Sequence, residues 1–254
     1  MSITITLGEQ SENHVGMTKQ GNGLSKGGFN YEDLNTIKNK LNEKNIDCDI
    51  YNLNSYINDF NEITTDQAYV LIIRNGVQKI ADINSQDMYN EQLSYEWDKK
   101  YWDGRRQKVL NKRARYNVCY GLESKPANYE NKQGTIISYQ SVPLINKWRN
   151  EVSKLLGHKT YNLEAEGNYY YDTKKCGIGY HGDSERKKVI ACCLGESKPL
   201  HWRWYYKSKQ LGEDIKFIIN CGDMYIMSEK ASGFDWKLRN KKTLRHASGT
   251  KYVV

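Results

Sequence analysis

Apolar and polar positions along this chain fall into two regimes. Up to about residue 105, strand-like and helix-like runs take turns. "ITITL" (3–7) and "IDCDIYNL" (46–53) alternate with the period of a half-buried strand. "AYVLIIRNGV" (68–77) is a continuous apolar strand ending in an Asn75-Gly76 turn. Between them "NYEDLNTIKNKLNEKN" (30–45) sets Leu34, Ile37 and Leu41 at helical spacing behind early acidic residues. This order predicts an α/β segment over residues 1–105. The stretch 87–118 that follows is polar, aromatic and basic. It contains no Pro and is expected to be largely helical.

Beyond it the runs become short and β-like. "ARYNVCYG" (114–121), "GTIISY" (134–139), "EGNYYYD" (166–172), "KKVIACCLG" (187–195), "LHWRWYYK" (200–207), "IKFIINCGDMYIMS" (215–228) and "TLRHASGTKYVV" (243–254) all read as strands. One helix interrupts them at "VPLINKWRNEVSKLLG" (142–157), with Pro143 in its first turn and Gly157 as its stop. Many short strands with polar turns predict a sandwich or barrel over residues 106–254, an α+β chain as a whole.

Composition changes this picture little. A mean hydropathy of -0.82 alone would suit a disordered chain, but 20 Tyr and 6 Trp supply the surface for a core. No apolar run is long enough for a membrane-spanning helix, and "MSITITLGEQ" has neither the basic nor the apolar region of a signal peptide. The six Cys form no C-x-x-C pair, and Cys192 and Cys193 sit inside an apolar run. They read as buried thiols in a reducing, intracellular compartment, cytoplasmic or nuclear. Charge points to a partner: a net +8 favours a polyanion such as nucleic acid. The strip "WDKKYWDGRRQKVLNKRAR" (97–115) sharpens that expectation, with Arg105 and Arg106 offered to phosphates and Trp102 to a base. Nothing in the sequence bears on oligomeric state.

The chemistry concentrates in "YYDTKKCGIGYHGDSERK" (170–187), where His181 and Asp183 stand two residues apart at a strand end. His246 follows on a late strand. Two imidazoles and one carboxylate brought together across a jelly roll would hold a metal on one face and leave neighbouring positions open, the arrangement of non-haem Fe(II) oxygenases. His14 reads as a loop histidine, Asp223 and Glu229 as turn and surface residues, and "ESKP" (196–199) as a simple turn. Ser184 and the cysteines have no neighbouring base to activate them as nucleophiles.

With "NYYYDTKKCGIGYHGD", "VIACCLGESKPLHWRW", "GDMYIMSEKASGFDW" and "LRHASG" in view, the stretch from Asn168 to Lys251 resembles the Fe(II)/2-oxoglutarate dioxygenases, and within them the AlkB-like nucleic-acid demethylases. The resemblance implies a double-stranded β-helix (jelly-roll) core with Fe(II) on His181, Asp183 and His246. It implies 2-oxoglutarate as cosubstrate, decarboxylated to succinate while a substrate C–H bond is oxidised. Tyr171, before the turn leading to the His-x-Asp, is implied to hydrogen-bond 2-oxoglutarate. The chain departs from the family pattern in two places. The family's Asn two residues before that Tyr is replaced by Tyr169. The Arg that follows the distal His is missing, leaving Lys251, or Arg203 on an earlier strand, to bind the distal carboxylate. The alternatives are a 2-oxoglutarate-dependent hydroxylase of a protein side chain or small molecule, and a non-catalytic jelly-roll binding module.

Overall fold

A computed structural model of the protein describes residues 1–57 and 66–251, so the last three residues of the expected C-terminal strand lie outside the described residues. In chain order the elements are β1 (Ser2–Gly8), β2 (Ser11–Glu12), β3 (Lys19–Gln20), α1 (Tyr31–Asn42), β4 (Cys48–Asn52), β5 (Tyr69–Ile73), α2 (Gly76–Ala81) and α3 (Ser85–Leu93). Then come β6 (Lys100–Asp103), β7 (Lys108–Asn111), β8 (Tyr116–Gly121), β9 (Ile136–Ser138), α4 (Pro143–Leu156), β10 (Glu164–Tyr170) and β11 (Gly177–His181). The chain ends through β12 (Val189–Gly195), β13 (Lys198–Tyr206), β14 (Lys209–Ile219), β15 (Met224–Met227) and β16 (Thr243–Gly249).

Two sheets carry the architecture. An eight-stranded sheet has the order β4-β5-β15-β12-β1-β10-β8-β9, and a four-stranded sheet the order β11-β16-β13-β14. The helices lie on one face of the large sheet. Leu34, Ile37 and Leu41 of α1, Met88 of α3 and Ile145, Trp148 and Val152 of α4 pack there against Ile3, Ile5, Leu7, Ile190 and Leu194. The opposite face packs on the small sheet, where Val70, Ile72, Ala191, Cys193 and Met227 meet Leu200, Trp202, Trp204 and Leu244. Covered on both sides, β1 is buried at every position. Its interior-facing residues are Ile on the helix side and Thr on the sheet side, which is why it reads as alternating.

The predicted helices form where their local signals place them. Asn30 caps α1, its side chain accepting from Asp33 N while the Asp33 carboxylate accepts from Asn30 N. α4 begins at Pro143 and ends at Gly157, whose φ of 74° suits glycine. The stretch 97–115 departs from expectation. It forms the β6–β7 hairpin, with Tyr101 opposite Leu110 and Trp102 opposite Val109. Asp103 turns the chain by accepting from the N–H groups of Arg105 and Arg106, and these cross-strand pairs leave no helical face to bury. The boundary expected at residue 105 therefore falls in a hairpin turn. β1 of the N-terminal segment pairs with β10 and β12, and β5 with β15 and with β4 at the edge, all in one sheet. Among the described residues no helix is long and apolar enough to cross a membrane.

Candidate metal centre and its cavity

Pairing of β11 with β16 sets His181 directly opposite His246, with ring centroids 4.4 Å apart. Asp183 lies just past the end of β11, tied down by its N–H donating to Ser232 O at 3.0 Å. Between the two, Gly182 is held so close that a Cβ would collide with Gly233 O and the Trp236 ring. This is a requirement for glycine set by close approach rather than by a left-handed backbone. Gly182→Ala is therefore expected to lower stability by about 1–3 kcal/mol, the range for overpacking a dense site, measured by urea denaturation. An unchanged midpoint would show that the Trp236 segment yields freely.

The three side chains converge. His181 Nε2 and His246 Nε2 lie 3.6 and 3.7 Å from Asp183 Oδ1, and the three ligand atoms all fall within 4.8 Å of one another. His181 Nδ1 is 2.8 Å from Gly179 O, an acceptor, so Nδ1 carries a proton and Nε2 is the nitrogen turned toward Asp183. His246 and Asp183 are buried, His181 half-buried. Burial, followed by the neighbouring His181 and Arg186, holds the His246 imidazole well below the usual histidine range, which keeps it neutral as a ligand must be. Burial raises the Asp183 carboxyl, and Arg186 and then His181 oppose that shift. Two imidazoles and one carboxylate, with no fourth donor in the cluster among the described residues, suit a divalent metal such as Fe(II) with open positions, and the sequence-predicted trio fits that group.

A cavity of about 260 Å³ opens beside them between the sheets. There the apolar inter-sheet packing gives way to Thr4, Thr6, Glu166, Asn168 and Tyr170 on one wall and Ile178, Lys198, Leu200 and Ser248 on the other. Lys198 was not expected here: "ESKP" reads as a turn, yet Lys198 opens β13 and is 4% exposed. Its Nζ donates to Ser248 Oγ at 2.6 Å and lies 4.6 Å from the Tyr170 ring centre. No carboxylate pairs with it among the described residues. A buried ammonium in that setting calls for an anion. The signal was present in the alternation, because Leu200, Trp202 and Trp204 all face inward and Lys198 continues their series.

The residues expected to bind a cosubstrate lie elsewhere. Arg203 is on the opposite face of β13, with His201, where its guanidinium forms a two-pronged pair with Asp214 at 2.6 and 2.5 Å. Lys251 is exposed and does not line the cavity. Tyr171 also points away: its ring stacks on Tyr116 and its hydroxyl donates to Arg113 O at 3.0 Å. The strand period of two puts Tyr170 in the cavity instead, with Asn168 two residues before it. Asn168 and Tyr170, two residues apart, thus share the cavity wall that Tyr171 faces away from. Asp223 is not a surface residue either. It is buried, accepting from Arg74 at 2.6 Å and from the N–H groups of Asn75 and Asn220 at 2.9 Å.

The β6–β7 hairpin stands next to this cavity. A recess of about 600 Å³ holds Arg106, Lys112, Arg113 and Arg115, with no carboxylate in its lining, and shares His14 and Arg115 with the cavity. His14 stacks on Tyr101 at 3.6 Å, and burial, with Lys112 and Arg115 nearby, lowers its imidazole to about 4. Arg105 and Trp102 do not line the recess: Arg105 is exposed in the turn, and the Trp102 Nε1 is buried without a partner. A larger cleft of about 820 Å³, between Tyr31, Tyr69, Phe234 and Leu238, has no comparable donor set in its lining.

No family model matches the chain. Along its whole length it is similar to "Uncharacterized protein R156" of Acanthamoeba polyphaga mimivirus, with 41% identity over 254 residues covering 100% of this chain and 97% of that protein.

Proposed function

The chain belongs to one family with that mimivirus protein, and we propose that it is an Fe(II)- and 2-oxoglutarate-dependent dioxygenase acting on nucleic-acid bases. The observation that carries the reading is the convergence of His181, Asp183 and His246 at the wall of a cavity that also holds the buried ammonium of Lys198. The two-sheet packing around them supports a double-stranded β-helix core.

Bound Fe(II) with 2-oxoglutarate supplies oxidation of a C–H bond by dioxygen. The protein's share is placement and enclosure. His181, fixed by Gly179 O, and His246, fixed by its β16 partner strands, present Nε2 lone pairs from one side. Lys198 binds the distal carboxylate of 2-oxoglutarate, and Ser248 and the Tyr170 ring hold its ammonium in place. Leu200, Ile178 and Met227 keep the cavity wall apolar around the reacting groups. The cationic recess beside the cavity suits phosphates, and a base reaching the cavity must leave its stack or start single-stranded.

The decisive experiment is succinate release from 2-oxoglutarate with and without Fe(II). No iron-dependent turnover, with or without nucleic acid, would leave the non-catalytic binding module. For the substrate, a gel-shift series from about 50 to 200 mM salt is expected to show binding falling steeply as counterions are released. Replacing Arg106 and Arg113 together by Ala is expected to weaken binding to every sequence alike and flatten that slope. Salt-independent binding, or none at micromolar protein, would move the substrate to a protein side chain or small molecule.

A further inference from the structure

Behind the three ligands lies a buried ion pair that their chemistry does not use. Arg186, three residues after Asp183, has a side chain only 6% exposed, and Glu166 on β10 one only 9% exposed. Arg186 Nη2 meets Glu166 Oε2 at 2.7 Å. The rest of Glu166 is engaged too, with Oε1 accepting from Asn168 Nδ2 at 3.0 Å and Oε2 from Glu12 N at 3.2 Å. Burial alone would raise the Glu166 carboxyl, but Arg186, Asn168 and the Glu12 N–H hold it below the usual range. Glu166 is therefore an anchored anion that fixes one edge of the guanidinium.

The neighbouring Nε of the guanidinium lies on the side of the metal ligand. Arg186 Nε is buried without a hydrogen-bond partner and lies 4.0 Å from Asp183 Oδ2. The two oxygens of Asp183 are thus divided: Oδ1 faces both imidazoles and Oδ2 faces Arg186. We propose that Arg186, braced by Glu166, is a positioning residue that engages Oδ2 and so keeps Asp183 a one-oxygen ligand through Oδ1. Its effect is to leave open a position that a two-oxygen carboxylate would occupy, which a chelating cosubstrate and dioxygen both need. The inference rests on the metal reading of the three ligands, and goes beyond it by assigning a role to an ion pair at the cavity wall that is not itself a ligand.

Mn(II) binding, followed by the electron paramagnetic resonance of the free ion without any turnover, tests it. Arg186→Met strands Glu166, Asp183 and the nearby Glu185 and is expected to destabilise the fold, so the informative variant is Arg186→Met combined with Glu166→Gln, which removes both charges of the closest ion pair at nearly constant volume. The double variant is expected to recover its thermal melt yet bind Mn(II) about tenfold to a hundredfold more weakly, the range for losing a partner of a metal ligand. Arg186→Lys keeps the charge beside Glu166 and is expected to fold, but a point ammonium cannot span both carboxylates, so its affinity also falls. The spectrum of bound Mn(II) should change in both variants, a signature that a purely structural pair would not move. Wild-type affinity and spectrum in the folded double variant or in Arg186→Lys would overturn the positioning role while leaving the metal site standing. A wild-type protein that binds no Mn(II) would overturn the metal reading and this role together.

Discussion

His181→Ala, Asp183→Ala and His246→Ala are each expected to lower Fe(II)-dependent succinate release by more than about a hundredfold. Two remaining ligands hold a divalent ion poorly, and even loss of an outer partner costs about tenfold to a hundredfold in affinity. The ligand atoms are already brought within 4.8 Å of one another, so each variant removes a donor from a formed cluster. His201→Ala is the matched control, since His201 lies on the outer face of β13 and lines no part of the cavity. A chelator should suppress turnover in the wild type and added Fe(II) restore it. Melting curves must accompany the series, because His246→Ala empties a buried position and Asp183→Ala leaves Arg186 with fewer anions beside it. Full activity in any one variant would strike that residue from the ligand set.

Lys198 carries the second large effect. Lys198→Met keeps the length and apolar stem while removing the charge, and is expected to raise the KM for 2-oxoglutarate by about tenfold to a hundredfold. That matches the loss of a charge-assisted contact of about 1.5–3 kcal/mol. The effect should fall on KM more than on kcat, because the distal carboxylate is bound equally before and during reaction. Arg203→Ala should leave cosubstrate binding unchanged, since its guanidinium is committed to Asp214 on the far face. A silent Lys198→Met together with a damaged Lys251→Ala would return the anchor to the end of the chain.

Much of this was legible in local pattern. The caps at Asn30 and Pro143, the helical spacing of Leu34, Ile37 and Leu41, and the short β runs after residue 115 each depend on neighbours a few positions away. So did the pairing of His181 with Asp183, two residues apart across a glycine, whereas His246 joined them only through the jelly-roll arrangement expected of the late strands. The hairpin of residues 97–115 was hidden because its partners face each other across a turn, and a polar, aromatic stretch has no periodicity to betray them.

What residue types and spacing determined by themselves was therefore most of the elements and part of the donor chemistry: a β-rich chain with a His-x-Asp pair at a strand end and a further His on a late strand. Tertiary structure alone decided which face of each strand looks inward. With a period of two, a shift of one residue exchanges Tyr171 for Tyr170, and the inner face of β13 holds Lys198 while the outer holds Arg203. It also decided that β1 lies between β10 and β12 and that Glu166 braces Arg186 behind Asp183. Alternation is symmetric with respect to the two faces of a strand, and only the packing of one sheet on another, through contacts far apart in the chain, breaks that symmetry.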